Sequence, residues 1–443
     1  MKKFASFCLI VFLVSGLCSA QEIPDVFARD PLRCGGRFYV YDYGHPAVLT
    51  PAPDGYRPFY ISHFARHGAR WCNSEYTSLH DCLSRAAREG RLTGEGRALF
   101  SRFEAYYRKV RLRKGNLTGI GKAQHAAIAT HMWERFPEVF EGPTHVEAFS
   151  TESPRVIMSM WSCLSRLKEL DGDLDVQADA SAAYAPWLQP NLSSSPYYRK
   201  ECFRAGEAAE KAAADFFRET APCEEIAGRY FTDNTSYLEE KLGIPLQEFA
   251  TTLLSVVTDT YCQETDRGCF DDLLSPEEAY LIWKGASAAF LLHFGRYEGS
   301  ECLATDYAGF TLGQMIESAE ADIASGGTRL RLRFGHDGGV APLLALMDVN
   351  GFGRTVTSFS QAGDVFPDYN IPMGCSLQLV FFRNGDGDIL VKPLLNEAEA
   401  TLPFPPVSGP YYGWEDFKSY YLPLVREARR KVLAKNNIAD ESE

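Results

Sequence analysis

Hydrophobic and polar positions along the chain fall into a unit that occurs three times: a strand-like run, a polar loop, then a helix. Pro58-Phe59-Tyr60-Ile61-Ser62-His63-Phe64 has the composition of a strand and is followed by the basic loop Arg66-His67-Gly68-Ala69-Arg70. His145 to Thr151 reads as a second strand, and Ser153-Pro154-Arg155-Val156-Ile157-Met158 opens an apolar-periodic helix. Ser153 suits the N-cap and Pro154 the first helical position, which places Arg155 in the first turn. The alternating run Arg329 to Phe334 leads into Gly335-His336-Asp337-Gly338-Gly339 and then an apolar helix, Pro342 to Met347. Strand-loop-helix junctions of this kind predict an α/β sheet with ligands at the carboxyl ends of its strands. Leu377 to Phe382 and Ile389 to Val391, joined through Asn384-Gly385-Asp386-Gly387-Asp388, predict a hairpin; the joining segment lacks the full ligand pattern of a calcium loop.

Between Pro186 and Cys302 the pattern changes to strong helix formers, as in Ala208 to Ala214 and Pro276 to Trp283, with few strand-like runs. The expected organisation is a signal peptide over residues 1–20, an α/β core over 21–185, a mainly helical cap over 186–302, and the rest of the core with a C-terminal tail over 303–443. The charged tail after Leu422 is expected to begin as a surface helix. Lys2 and Lys3 ahead of the apolar stretch Phe7 to Val14, with small residues at Ser19 and Ala20, give residues 1–20 the features of a secretory leader. The expectation is therefore a periplasmic or secreted protein after cleavage at Ala20, with no membrane span, because no later run approaches the ~20 apolar residues that a span requires.

Residues 1–20 hold two basic groups and no acidic one, so cleavage moves the formal charge from −13 to −15. Such an acidic chain does not suit broad nucleic-acid binding, and any polyanion must be caught by local positive charge. The run Arg108 to Lys114 is one such patch, although a solvated connector explains it as well. Ten of the twelve cysteines follow residue 20, and export predicts disulfides among them, with Cys262–Cys269 and Cys72–Cys82 as candidate local pairs.

Arg66, His67 and Arg70 form the most informative cluster. A guanidinium fork matches phosphate oxygens two at a time, and an imidazole between two of them is a candidate nucleophile toward phosphorus. Arg155, at a helix N-terminus, is a candidate third phosphate ligand. His336 and Asp337 bring a histidine and a carboxyl group to the third junction. His63, which alternates with Phe64 inside the first strand, reads as a packed structural residue. His125 and His131 read as core or surface residues, since spacing suggests no convergent metal ligands.

Taken together, these elements resemble the histidine acid phosphatases, the branch of the histidine phosphatase superfamily with phytases, multiple inositol polyphosphate phosphatases and glucose-1-phosphatases. The resemblance spans roughly Arg57 to Arg383 and rests on the R-H-G-x-R loop, Leu117-Thr118-Gly119-Ile120-Gly121, Ser150 to Arg155, and the His336-Asp337 pair. Two positions depart from the family pattern: Cys72 stands where proline is frequent, and His336-Asp337-Gly338 stands where inositol polyphosphate phosphatases commonly carry His-Ala-Glu. The resemblance implies a histidine-phosphatase-like α/β core sheet flanked by helices, with an inserted helical cap.

For activity, it implies an exported acid phosphomonoesterase that works through a phosphohistidine and needs no metal or other cofactor. His67 would attack phosphorus while Arg66, Arg70, Arg155 and protonated His336 hold the oxygens. Asp337 would protonate the leaving alcohol and then activate water. A free Asp titrates near pH ~3.9, so the expectation is an acid optimum. The implied partner is a small phosphate ester: inositol polyphosphates such as phytate first, a sugar phosphate such as glucose 1-phosphate second. A non-catalytic protein that binds a phosphate ligand is the alternative of another class.

Overall fold

The computed structural model describes residues 23–72, 75–190, 192–233 and 236–438. The expected leader peptide lies outside them. Eight strands form one sheet: β1 Arg57–Arg66, β2 His145–Ser150, β3 Asp175–Ala180, β4 Thr328–Gly335, β5 Ser376–Arg383, β6 Ile389–Leu395, β7 Ala398–Glu399 and β8 Tyr412–Gly413. Their order is β3-β2-β4-β1-β5-β6-β7, with β8 on β6. β1, β2, β3 and β4 run parallel, whereas β5 onward is antiparallel. The expected hairpin is the β5–β6 pair, in register from Leu377 opposite Leu395 to Arg383 opposite Ile389.

Burial explains why the three central runs pair. β1 is buried from Tyr60 onward, its polar Ser62, His63 and Arg66 included, as a strand covered on both faces must be. β4 alternates Leu330, Leu332 and Phe334 with arginines, a pattern usually read as one wet face. Here the Ala304–Ser325 helix covers that face with polar partners. Arg331 pairs with Asp322 at 2.7 Å, and fully buried Arg333 donates to Gln314, Ser62 and Ser318 at 2.8, 3.0 and 2.7 Å. On the opposite face, Ile61, Val146, Leu330 and Leu332 pack with the Gly119–Arg135 and Pro154–Leu170 helices.

Between β3 and β4 the described residues form helices and turns, among them Glu207–Thr220, Cys223–Tyr230, Leu246–Asp259 and Pro276–Phe294. They share one apolar cluster with Glu75–Arg88 and Gly94–Val110, through residues such as Phe103, Tyr106, Phe231, Phe249 and Phe270. The helical layer therefore draws on a second stretch of chain, close after the basic loop.

The segment after Leu422 is helical, within Trp414–Lys435, and Val425, Ala428 and Val432 bury one face of that helix while most of its other residues are exposed. Among the described residues, no bond joins Cys262 to Cys269 or Cys72 to Cys82. Cys262 is buried with its thiol near Phe38 O (3.7 Å) and Met373 Sδ (3.9 Å), while Cys269 is exposed, and Cys82 also carries a free thiol. Spacing alone sets loop length and leaves side-chain direction open. Among the described residues, no helix is long and apolar enough to cross a membrane.

Candidate active site

Strand register aligns the three junctions. Arg66 lies opposite Gly335, and Ser150 lies opposite Phe334, so β1, β4 and β2 end at nearly one level. His67, His336 and Thr151, each the next residue, project from that edge. The loop after β1 is fixed by close backbone approach. A Cβ on Gly68 would meet Gly121 O at 2.4 Å, and one on Gly121 would meet Ala69 O at 2.2 Å. Ala69 O accepts from both Thr118 N (2.9 Å) and Thr118 Oγ1 (3.0 Å). The L-T-x-x-G segment is thus the clamp on the R-H-G-x-R loop: Thr118 holds it, and the two glycines let the backbones touch. Buried Gln124 completes the clamp, accepting from Ala69 N (2.8 Å) and donating to Met373 O (2.7 Å).

His67 Nδ1 lies 2.9 Å from Gly68 O. A carbonyl only accepts, so Nδ1 carries the proton and Nε2 presents its lone pair. Burial, then Arg66, His336 and Arg155, hold this imidazole well below its ordinary pKa, so it stays neutral. The ring of His336 stands 5.4 Å from that of His67, at 77°. Its Nδ1 receives Arg155 Nη2 at 3.3 Å, and its Nε2 faces Thr151 Oγ1 at 3.2 Å. Guanidinium nitrogens only donate, so His336 Nδ1 is the acceptor and Nε2–H donates to Thr151. Burial and then Arg155 push its pKa down to about 3. These surroundings favour the neutral ring, whereas the imidazolium implied by the resemblance belongs to His336 holding a phosphate.

Arg66 is locked in place: its side chain is 2% exposed, Nη1 donates to the carbonyls of Arg37 and Ile371, and Nη2 lies 3.3 Å from Asp337 Oδ2. Arg155 sits in the first turn of the Pro154–Leu170 helix; Ser153 occupies the N-cap position without a side-chain cap bond. Arg70 donates to Trp71 O at 3.0 Å and stacks on Phe38 at 5.4 Å, and its charge bears on both Arg155 and His336. The third helix begins at Asp337, five residues ahead of the expected start at Pro342, which lies inside it. Two helix N-termini therefore point at one place, each favouring an anion. Burial alone would raise the pKa of Asp337, but Arg66, then Arg37, His67 and His336, hold it below the usual carboxylate range.

No protein-family model and no curated protein matches the sequence. Among solved structures, it is similar to the Bifidobacterium longum multiple inositol polyphosphate phosphatase in complex with inositol hexasulfate. That match has a TM-score of 0.71 and 18% identity over 87% of this chain and 97% of that one. It is also similar to the phytase from D. castellii (TM-score 0.65, 16% identity, 89% and 85% covered) and to apo Hafnia alvei phytase (0.53, 12%, 85% and 98%). The chain shares their fold.

That fold brings Arg66, His67, Arg70, Arg155, His336 and Asp337 to one end of the sheet, together with residues that sequence reading missed. Arg37 presents Nη1 to Asp337 Oδ2 at 3.4 Å, so the site holds a further guanidinium. Thr151 orients His336, and Ser159 Oγ accepts from Gly68 N at 3.1 Å. Thr151 follows directly on β2, a position that could have marked it; Arg37 lies in a short turn with no motif around it. The basic run near residue 110 is partly neutralised, Arg108 by Glu104 and Lys109 by Asp266, while Arg113 stacks on Trp71 at 4.9 Å. His63 is buried against Phe334 with both ring nitrogens unpartnered, in keeping with a packed role, and His131 bonds Glu397 at 2.7 Å.

Proposed function

We propose that the protein is a histidine acid phosphatase that cleaves phosphate monoesters, inositol polyphosphates foremost, through a phosphohistidine. The observation that carries this reading is the 2.9 Å contact of His67 Nδ1 with Gly68 O, which assigns the proton to Nδ1. A neutral imidazole with its Nε2 lone pair unshared, ringed by Arg66, Arg70 and Arg155, is what an attack on phosphorus needs. Phosphate monoesters require on the order of 20 kcal/mol of barrier reduction, and positioning with charge stabilisation must provide most of it.

In this mechanism the ester phosphate settles among the three guanidinium groups and the two helix N-termini. Its negative charge offsets the cations that hold His336 and Asp337 low, so both take up protons more readily once it is bound. His67 Nε2 bonds to phosphorus as the ester P–O bond breaks, and the leaving oxygen takes the proton of Asp337. The Asp337 carboxylate then draws a proton from water, whose oxygen displaces His67 from phosphorus. Every charge in the cycle is met by side chains and backbone, so the reading calls for no metal.

The similar phytases and inositol polyphosphate phosphatase bear on the substrate, since they share this fold, and Arg37 brings a further guanidinium beside Asp337. The leader-like pattern of residues 1–20 supports export, and the helical stretch 186–302 supports a cap over the sheet.

The test is phosphate release from inositol hexakisphosphate, glucose 1-phosphate and p-nitrophenyl phosphate at mildly acid pH with EDTA present. Wild type is expected to release phosphate, with His67→Ala at least about 10³-fold slower. Preference for glucose 1-phosphate would move the substrate to sugar phosphates. Release from no ester would leave a phosphate-binding role, and equal release by both proteins would overturn His67 as nucleophile.

A further inference from the structure

Arg37 lies in a short turn, Pro31–Phe38, that is held rigidly from behind. Gly36 has φ 54°, and a Cβ there would stand 2.1 Å from Asp368 Oδ2, so both conformation and space demand glycine. The Arg37 N–H donates to the same buried carboxylate at 3.1 Å, and Trp283 Nε1 donates to it at 2.7 Å. The backbone of Arg37 is thus part of the site, with its carbonyl receiving Arg66.

Its side chain is a different matter. It is 38% exposed, against 2% for Arg66, and its contact with Asp337 is a long 3.4 Å. Phe38 and Phe290 lie under the guanidinium at 5.1 and 5.8 Å. Arg37 also lines a neighbouring cavity of about 510 Å³, together with Glu248, Thr251, Ser255, Phe290, His293 and Asp368. Asp337 does not line that cavity. The guanidinium therefore stands between Asp337 and a space large enough for a small molecule.

We infer that Arg37 is a specificity-determining residue whose guanidinium, paired with Asp337 here, turns to a second anionic group of the substrate when one is bound. This rests on the phosphatase reading above. Asp337 meets Arg66 and Arg37 directly, with His67, His336 and Arg155 around it and Asp368 behind Arg37. Of the two cations in contact, Arg66 is fixed by two carbonyl oxygens, and only Arg37 has an exposed side chain with a cavity beside it. When Arg37 leaves, one stabilising charge is lost and the carboxylate takes up a proton more readily. That proton passes to the ester oxygen as the P–O bond breaks and the N–P bond to His67 forms. A monoester lacking a second anion would leave Arg37 on Asp337 and react more slowly at a given pH. Substrate charge would thereby arm the acid that cleaves it.

The experiment compares wild type, Arg37→Gln and Arg37→Lys on inositol hexakisphosphate and on p-nitrophenyl phosphate, recording kcat/KM across pH with EDTA present. Arg37→Gln is expected to lose about 10- to 100-fold on the hexakisphosphate relative to p-nitrophenyl phosphate, and Arg37→Lys to regain most of it. On p-nitrophenyl phosphate, the falling high-pH limb of Arg37→Gln should move to higher pH, because removal of the cation lets Asp337 keep its proton longer. Equal loss on both esters with an unmoved limb would overturn the inference and leave Arg37 structural. A wild type inactive on both would sink the phosphatase reading itself, and this inference with it.

Discussion

Single residues carry most of the site's order, and they do so by excluding alternatives. Thr151 shows this for His336. With Arg155 donating to Nδ1, the imidazole must hold its proton on Nε2, and Thr151 Oγ1 is the acceptor that keeps the ring in plane with that task. Thr151→Val keeps the shape and removes the acceptor. It is expected to lower kcat about 10-fold while KM for p-nitrophenyl phosphate changes little, which steady-state kinetics would check. An unchanged kcat would remove Thr151 from the machinery. Arg66, His67, Arg70, Arg155, His336 and Asp337 could be picked out of the sequence because each lies within a few residues of a strand end, where local pattern reports position. Arg37 could not, since it meets Asp337 across 300 positions of chain and owes its place to a turn packed on Asp368. Gln124 was hidden for a similar reason, as a polar residue inside a helix whose partners, Ala69 and Met373, come from two other segments.

Elements were legible where periodicity was clean and lost where charge masked it. β1, β2, β4 and the β5–β6 hairpin follow from strand-like runs bounded by turns, whereas β3 carries only Val176, Ala178 and Ala180 on its inner face, small and half-buried positions that give a weak pattern. The Trp414–Lys435 helix was legible only in its exposed second half. Its buried positions recur at steps of three and four, but basic and acidic neighbours dominate the composition after Leu422. It packs on Ala304–Ser325 across two glycines: a Cβ on Gly309 would meet Ala428 Cβ at 2.8 Å, and one on Gly313 would meet Arg429 Nη2 within the guanidinium's own volume. Gly309→Leu should force the helices apart and cost about 2–3 kcal/mol, read as a lower urea midpoint at unchanged slope. Because the Ala304–Ser325 helix also buries Arg331 and Arg333 on β4, the same variant is expected to weaken the strand that ends at His336.

At the scale of the whole molecule, proton uptake sets stability against the chemistry proposed for the site. His63 and His125 are buried side by side behind the basic loop, both packed on Phe334. Burial first, then mutual repulsion and Arg333, push His63 down to about 3, and burial pushes His125 down to about 4. In the unfolded chain both titrate near pH ~6.5, so over the interval between these values the unfolded state binds more protons than the folded one. Their contribution to stability is thus complete above about pH 6.5 and fades as pH falls toward 4 and then 3. Asp337, held ionised, adds a loss of the same sign at lower pH. The melting midpoint is expected to drop by roughly 10 °C or more between pH 7 and pH 4, and His63→Leu should flatten that dependence. A midpoint constant over this range would show that these imidazoles are not held neutral by the fold. A proton on Asp337 favours the proposed reaction, while a proton on His63 or His125 favours unfolding. The pH of greatest initial rate should therefore lie below the pH of greatest half-life, and assays of both on one preparation would separate them.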